Sequence, residues 1–237
     1  MKRLCTLCAR GGSKGVPGKN VRMLSGRPLL EISILQAKKS GLFEAVAVSS
    51  DSEEILGIAK NAGADLVIRR PAELATDTAG KIPAIRHAFL ESEKILATHF
   101  DVLVDLDATS PLRMVSDIQG AVALLEKSGA GNVITGAVAR RSPYFNLVED
   151  RGDGTVGLAK VPAKPILRRQ DAPKCFDMNA SIYVWTRAGI LQRDTLFHSD
   201  TRIFEMPEDR SLDIDSELDF QVVEFIVSQR KRFQDAW

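Results

Sequence analysis

The chain has 237 residues, 44% of them hydrophobic and 27% charged, which suits one large α/β domain with a sizeable core and excludes a disordered chain. Its 32 basic and 31 acidic residues leave a net charge of +1, so the whole molecule has no sustained field to draw in nucleic acid, and any binding by charge must be local. After Lys2 and Arg3 the apolar run "LCTLCA" ends at Arg10, too short for a signal peptide, and no stretch approaches the roughly 18 apolar residues of a membrane span.

A cytoplasmic protein is therefore expected, with neither a membrane nor a nucleic acid as partner. Its three cysteines fit that compartment. Cys5 and Cys8 form a CxxC, but their odd spacing on a strand turns them to opposite faces, and no second pair completes a metal site.

In chain order, "RLCTLCA" reads as a first strand. "RPLLEISILQAKKSG" reads as a helix, with Pro28 near its first turn and Gly41 as its stop. "EAVAVSSD" is a second strand, and Asp51 with Glu54 forms a capping box for the helix "SEEILGIAKNAG". "DLVI", "IPAIRHAFLESEKIL", "DVLVDLD", "SDIQGAVALLEKSG" and "NVITGAVA" continue the alternation of strand and helix. The expectation is an α/β, Rossmann-like fold with a largely parallel sheet and helices on both faces. No internal repeat interrupts it.

After Arg140 the pattern changes. "YFNLVEDRGDGTVGLAKV" reads as two strands around a Gly/Asp turn, followed by a loop rich in proline and cations up to Lys174. A small subdomain and a dimer arm both suit such an insertion. "NASIYVWT" and "RIFEMP" return to strand character, and "SELDFQVVEFIVSQRKRF" closes the chain as an amphipathic helix capped by Ser216 and Asp219.

The first thirty residues contain seven Lys or Arg and no Asp or Glu, with Arg10, Lys14 and Lys19 set among glycines in "CARGGSKGVPGKN". A glycine loop between the first strand and first helix presents backbone N–H groups to phosphate oxygens while the cations offset charge. It lacks the spacing of an ATPase phosphate loop, since Gly12 and Gly18 are one residue too far apart and Asn20 stands where Ser or Thr would serve magnesium. Near the other end, Asp213 and Asp215 in "SLDIDSELDF" project to one side of an extended segment, a donor pair for Mg2+. Asp105 and Asp107 alternate in "DLDATSPLR" as a rival or additional pair, and Thr109, Ser110 and Arg113 follow at the strand's carboxyl end, where ligands bind in such sheets.

Together, "ARGGSKGVPGKN", "RPAELATDTAG", "TSPLR", "RRQDAPKCFDMNASIYVW" and "SLDIDSELDF" resemble the acylneuraminate cytidylyltransferases, in the family's order over nearly the whole chain. Within that family the "LDATSPLR" form and the "RRQD" block look closest to CMP-legionaminic acid synthases. The resemblance implies attack by the anomeric hydroxyl of a nonulosonic, sialic-type sugar acid on the α-phosphorus of CTP, with pyrophosphate leaving. It implies catalytic roles for Arg10, Lys14, Lys19, Asp213 and Asp215, the two aspartates holding Mg2+. Nucleotide contacts would come from Cys8, Ala9, Arg10, Gly11, Gly12, Ser13, Asn20 and Arg70, and sugar contacts from Asp107, Thr109, Ser110, Arg168, Gln170, Asn179 and Tyr183. One nucleotidyltransferase domain would span 1–237, with 142–173 as an inserted arm for substrate and for a homodimer.

Sialic acid enzymes typically have glutamine where Asp107 stands, so a different amino substitution on the sugar is expected. CMP-N-acetylneuraminate or CMP-KDO synthesis and a non-catalytic nucleotide-binding module remain as alternatives. His87, His99 and His198 fall outside every motif and leave the proton acceptor open.

Overall fold

Strands buried on both faces read as unbroken apolar runs, and the runs of this sequence become the middle of one sheet. In the computed structural model, residues 1–12, 16–235 and 237 are described, except for the side chains of Arg169 and Gln234. The strands are β1 (Arg3–Cys8), β2 (Met23–Leu24), β3 (Arg27–Pro28), β4 (Ala45–Ser50), β5 (Leu66–Arg69), β6 (Val102–Leu106), β7 (Asn132–Val138), β8 (Val148–Asp150), β9 (Val156–Leu158), β10 (Phe176–Thr186) and β11 (Arg202–Glu205). The helices are α1 (Leu29–Lys39), α2 (Glu53–Asn61), α3 (Lys81–Leu96), α4 (Val115–Ser128), α5 (Arg187–Gln192), α6 (Glu217–Gln229) and α7 (Lys231–Gln234).

Seven strands form the main sheet in the order β11-β7-β10-β6-β1-β4-β5. All neighbours run parallel except β10, which is antiparallel to both β6 and β7. Its register shifts between Met178 and Tyr183, and there Ala180 takes φ +49°, a conformation unfavourable for a residue with a Cβ. β2 with β3, and β8 with β9, form separate antiparallel pairs.

Helices cover both faces. On one, α1, α2 and α4 bury Leu30, Ile34, Ile55, Ile118 and Val122 against Cys5, Leu7, Val46 and Val104. On the other, α3 and α5 bury Ile85, Phe89 and Ile190 against Leu4, Ala47 and Leu103. The partly buried Cys8 packs on this second side and Cys5 on the first, as their spacing requires. A third cluster joins the far side of α1 to α6 and α7 through Leu29, Ile32, Phe220, Val223 and Phe233.

Local caps refine the sequence reading. Ser52, rather than Asp51, caps α2, its side chain accepting from Ile55 N. Asp51 instead accepts from the Gly11 amide at 2.9 Å, because the glycine loop packs over this helix start. Ser216 and Asp219 form the expected reciprocal cap of α6. Among the described residues no helix is long and apolar enough to cross a membrane.

Candidate active site

A polar cavity of about 490 Å³ opens at the carboxyl ends of the parallel strands, the place where ligands bind in open α/β sheets. It is lined from β1 by Cys8, from the following loop by Arg10, Lys19 and Asn20, and from beyond β5 by Arg70, Thr76 and Asp77. Lys81 from α3, Asp107 and Thr109 from beyond β6, Ala180 from β10, and Asp213 and Asp215 from before α6 complete it.

The glycine loop leaves β1 under close tethering. Ala9 N donates to Ser49 O and the Asn20 side-chain amide donates to Arg10 O at 3.0 Å. Gly18 has φ +63°, a left-handed conformation natural to glycine, and the turn it makes sends Lys19 toward the acidic segment. Arg10 donates to Asp77 Oδ1 at 2.9 Å and to Thr76 O at 3.3 Å. Arg70 is buried and spends Nε and Nη2 on the hydroxyl and carbonyl of Ser49. Gly12 is exposed with open space where a side chain would lie. Ser13 and Lys14 lie outside the described residues.

Asp213 and Asp215 lie on a segment fixed from both sides. Ile214 N donates to Thr109 O at 2.9 Å, and Lys19 Nζ donates to Ile214 O at 2.6 Å and to Asp215 Oδ1 at 3.0 Å. Burial and the neighbouring Asp215 both push the Asp213 carboxyl above its ordinary value. Asp213, whose ionisation the neighbouring carboxylate opposes, and Asp215 form a fitting donor set for a divalent cation. Among the described residues no cluster of three or more His, Cys, Asp or Glu could enclose one; a magnesium ion held here would keep waters and substrate phosphates as its other ligands.

A second charged group was not legible from the motifs. Lys81, at the first position of α3, donates to Asp107 Oδ2 at 2.9 Å, lies 3.7 Å from Asp105 Oδ2 and sits 4.2 Å from the centre of the Tyr183 ring. Burial lowers the Lys81 ammonium, but Asp107 and Asp105 outweigh it and hold the group well above its usual value. Burial acts to raise Asp107, but Lys81 and the hydrogen bonds from Lys81 and Thr109 hold its carboxyl well below the usual range. Asp105 is enclosed, its Oδ1 accepting from the Thr6 hydroxyl at 2.8 Å while Oδ2 has no hydrogen-bond partner. Burial pushes it up to about 6 against the pull of Lys81 and Thr6. Asp105 and Asp107, read from the sequence as a rival or additional metal pair, hold an ammonium between them. A cation just after glycine at a helix N-terminus, unfavourable against the helix dipole, was the signal for Lys81 in "TDTAGK".

Other expected contacts lie behind or away from the cavity wall. Arg113 is fully buried and donates to Gln36 Oε1, Ser181 O, Asp107 O and the Ser33 hydroxyl, so it braces the turn after β6 instead of reaching a ligand. Ser110 donates to Asn179 O, and Asn179 binds Thr135 and donates to the Ser211 hydroxyl at 3.0 Å. Both are buried, and they link the β10 bulge to the segment bearing Asp213. Tyr183 is buried, stacked on Trp185 with ring centres 5.6 Å apart, and meets the cavity through Lys81. Arg168 and Gln170 are exposed on the inserted segment, Arg168 paired with Asp171, and neither lines the cavity.

A doubly wound sheet with cations and carboxylates gathered beyond β1, β5 and β6 defines the class as a nucleotide-binding α/β enzyme. The comparisons agree at the level of the fold. A solved CMP:2-keto-3-deoxy-manno-octonic acid synthetase complexed with CTP superposes with a TM-score of 0.70 at 15% identity, covering 97% of this chain and 99% of that one.

The family model described as Cytidylyltransferase matches residues 4–222, and the chain belongs to that family of nucleotidyltransferases. It is 47% identical to "Post-translational flagellin modification protein B" of Campylobacter coli, over 96% of this chain and 95% of that protein. It is 46% identical to the CMP-N,N'-diacetyllegionaminic acid synthase of Campylobacter jejuni, over 95% and 94% respectively.

Proposed function

We propose that this cytidylyltransferase activates a nonulosonic acid of the N,N'-diacetyllegionaminic type, joining it to CMP from CTP with release of pyrophosphate. The observation that carries this reading is the gathering of Arg10, Lys19 and Arg70 with Asp213 and Asp215 around one cavity. The similarity to the Campylobacter jejuni synthase supports the choice of sugar. In the reaction the acceptor hydroxyl oxygen forms a bond to the α-phosphorus, the bond to the pyrophosphate oxygen breaks, and the hydroxyl proton is lost. Transfer of this kind depends mainly on positioning and charge stabilisation.

Arg10, Lys19 and Arg70 bind and orient the triphosphate, with Asn20 holding the loop through Arg10 O. Magnesium, held by Asp213 and Asp215, would supply further neutralisation of phosphate charge. The domain arrangement of 1–237 with an arm at 142–173, the homodimer that the arm would form, and a cytoplasmic location are part of the same reading. The β8–β9 pair within the arm supports a discrete appendage, and three free cysteines suit a reducing compartment.

The test is pyrophosphate release from CTP and magnesium with N,N'-diacetyllegionaminic acid, N-acetylneuraminic acid and KDO offered separately, with the CMP-sugar identified by mass. Turnover favouring the legionaminic acid is expected. A preference for either other acid would replace the substrate assignment, and CTP binding without turnover of any acid would favour a regulatory module.

A further inference from the structure

Strand order gives the cavity two ends. Arg70 follows β5, and Arg10 and Lys19 belong to the loop after β1, whereas Asp107 and Thr109 follow β6 and Ala180 lies in β10. With neighbouring strands about 4.8 Å apart, β5 and β10 are separated by about 19 Å. Arg10, bonded to Thr76 and Asp77, and Arg70 lie toward the β5 end, while Lys19 reaches Ile214 and Asp215. Lys81 stands at the other end, over Tyr183 of β10.

Lys81 differs from those three in how its charge is met. Asp107 is at 2.9 Å and Asp105 at 3.7 Å, so the cluster offers no net positive field to a phosphate. What the ammonium retains is donor capacity, for it has three N–H groups and gives one to Asp107. The side chain is 35% exposed and lines the cavity. Asp107 has no comparable freedom: Oδ1 accepts from the Thr109 amide and hydroxyl, and Oδ2 accepts from Lys81. At this end the group able to meet a ligand is therefore the lysine, with the aspartate as its tether.

We propose that Lys81 donates a hydrogen bond to a neutral oxygen of the acceptor, a hydroxyl or an amide carbonyl, and that Asp107 positions the ammonium for this contact. The assignment rests on the sugar-acid reading given above. It moves the sugar-contacting role expected of Asp107 onto a residue that precedes it by 26 positions.

The test is steady-state kinetics of pyrophosphate release with magnesium, varying CTP and N,N'-diacetyllegionaminic acid in turn, for the wild type, Lys81→Met and Asp107→Asn. Lys81→Met keeps an unbranched stem over Tyr183 and is expected to raise the acceptor KM at least tenfold while the CTP KM stays within twofold. Asp107→Asn leaves the ammonium but removes its tether and countercharge; it is expected to raise the acceptor KM and to leave the CTP KM no lower.

An equal rise in both KM values for Lys81→Met would put the lysine on the triphosphate, and a fall in either KM for Asp107→Asn would mean that its target is an anion. An unchanged acceptor KM in Lys81→Met would make it a wall residue. Each of these outcomes overturns the proposal. Should Lys81→Met not fold, Lys81→Gln, which keeps a neutral donor, takes its place with an expected rise of at least threefold in acceptor KM alone. Absence of wild-type turnover with any sugar acid removes the underlying reading, whereas wild-type turnover with unaffected variants removes only the role of Lys81.

Discussion

Lys19 Nζ lies 3.0 Å from Asp215 Oδ1, joining the glycine loop to the acidic segment across 196 residues of sequence. In the proposed reaction this pair sets a cation for the triphosphate against a carboxylate for magnesium, and both ligands would compete with it. Asp215 is 76% exposed, and a pair of that kind is worth about 0.2–1 kcal/mol. Asp215→Asn frees the lysine at little cost. Without a divalent cation its affinity for CTP is expected to equal the wild type's or to exceed it by up to about fivefold, while magnesium-supported turnover falls by about a hundredfold for want of a charged ligand. Calorimetric titration with CTP, with and without magnesium, checks this. Weaker binding without magnesium would show that Asp215 holds Lys19 in its nucleotide-binding position.

Asp105 sets a pH dependence of stability. Burial raises its folded-state value from 3.8 to about 6, so between those limits the folded protein binds more protons than the unfolded chain, and this group's contribution to stability falls as pH rises. At about 1.4 kcal/mol per unit, the full effect is roughly 3 kcal/mol. Asp105→Asn removes it: the side-chain amide can donate to the Thr6 hydroxyl and turn its oxygen toward Lys81. Melting temperatures measured across this range should show a smaller decline, or a larger rise, toward neutral pH in the variant than in the wild type. Parallel curves would remove Asp105 as the titrating group.

Much of this arrangement was readable because local chemistry dictates it. The apolar runs of β1, β4 and β6 had to be buried strands, the odd spacing of Cys5 and Cys8 had to split them between faces, and Ser216 with Asp219 had to cap a helix. Cations on glycine-rich backbone after the first strand pointed to phosphate, and Arg10 and Lys19 do line the cavity. The antiparallel course of β10 was hidden, since direction depends on how the arm returns the chain and not on the composition of the strand. Lys81 and Arg113 were hidden for a related reason. Their roles arise from partners brought together by the fold, Asp105, Asp107 and Tyr183 around one, and Ser33, Gln36 and Ser181 around the other.

Arg113 makes a prediction about stability. Burial lowers its guanidinium to about 10, and its donors serve Gln36, Ser181, Ser33 and Asp107 O from α1, β10 and the turn after β6. Lysine has three donors on one nitrogen and cannot reproduce that fork. Arg113→Lys should lower unfolding free energy by about 3 kcal/mol, as orphaned buried acceptors and a poorly solvated charge require. Urea denaturation measures it. A variant of wild-type stability with a raised acceptor KM would instead return Arg113 to the ligand.

The segment 142–173 exposes large apolar side chains. Val148 is 55% exposed, Val156 63%, Val161 82% and Leu167 84%, and Phe145, Leu158, Pro162 and Ile166 line an adjoining hollow of about 320 Å³. Exposed apolar patches mark interaction sites, and in the proposed homodimer the arm of a second copy would cover these side chains. Val161→Asp with Leu167→Asp puts two like charges on each copy's contact surface, at positions with no core role. Sedimentation equilibrium should find the wild type dimeric and the double variant monomeric, with a melting temperature for the main domain changed by no more than a few degrees. A wild type that is monomeric at micromolar concentration would rule out the arm as a stable dimer contact, and an undiminished dimer in the variant would move the interface elsewhere on the molecule.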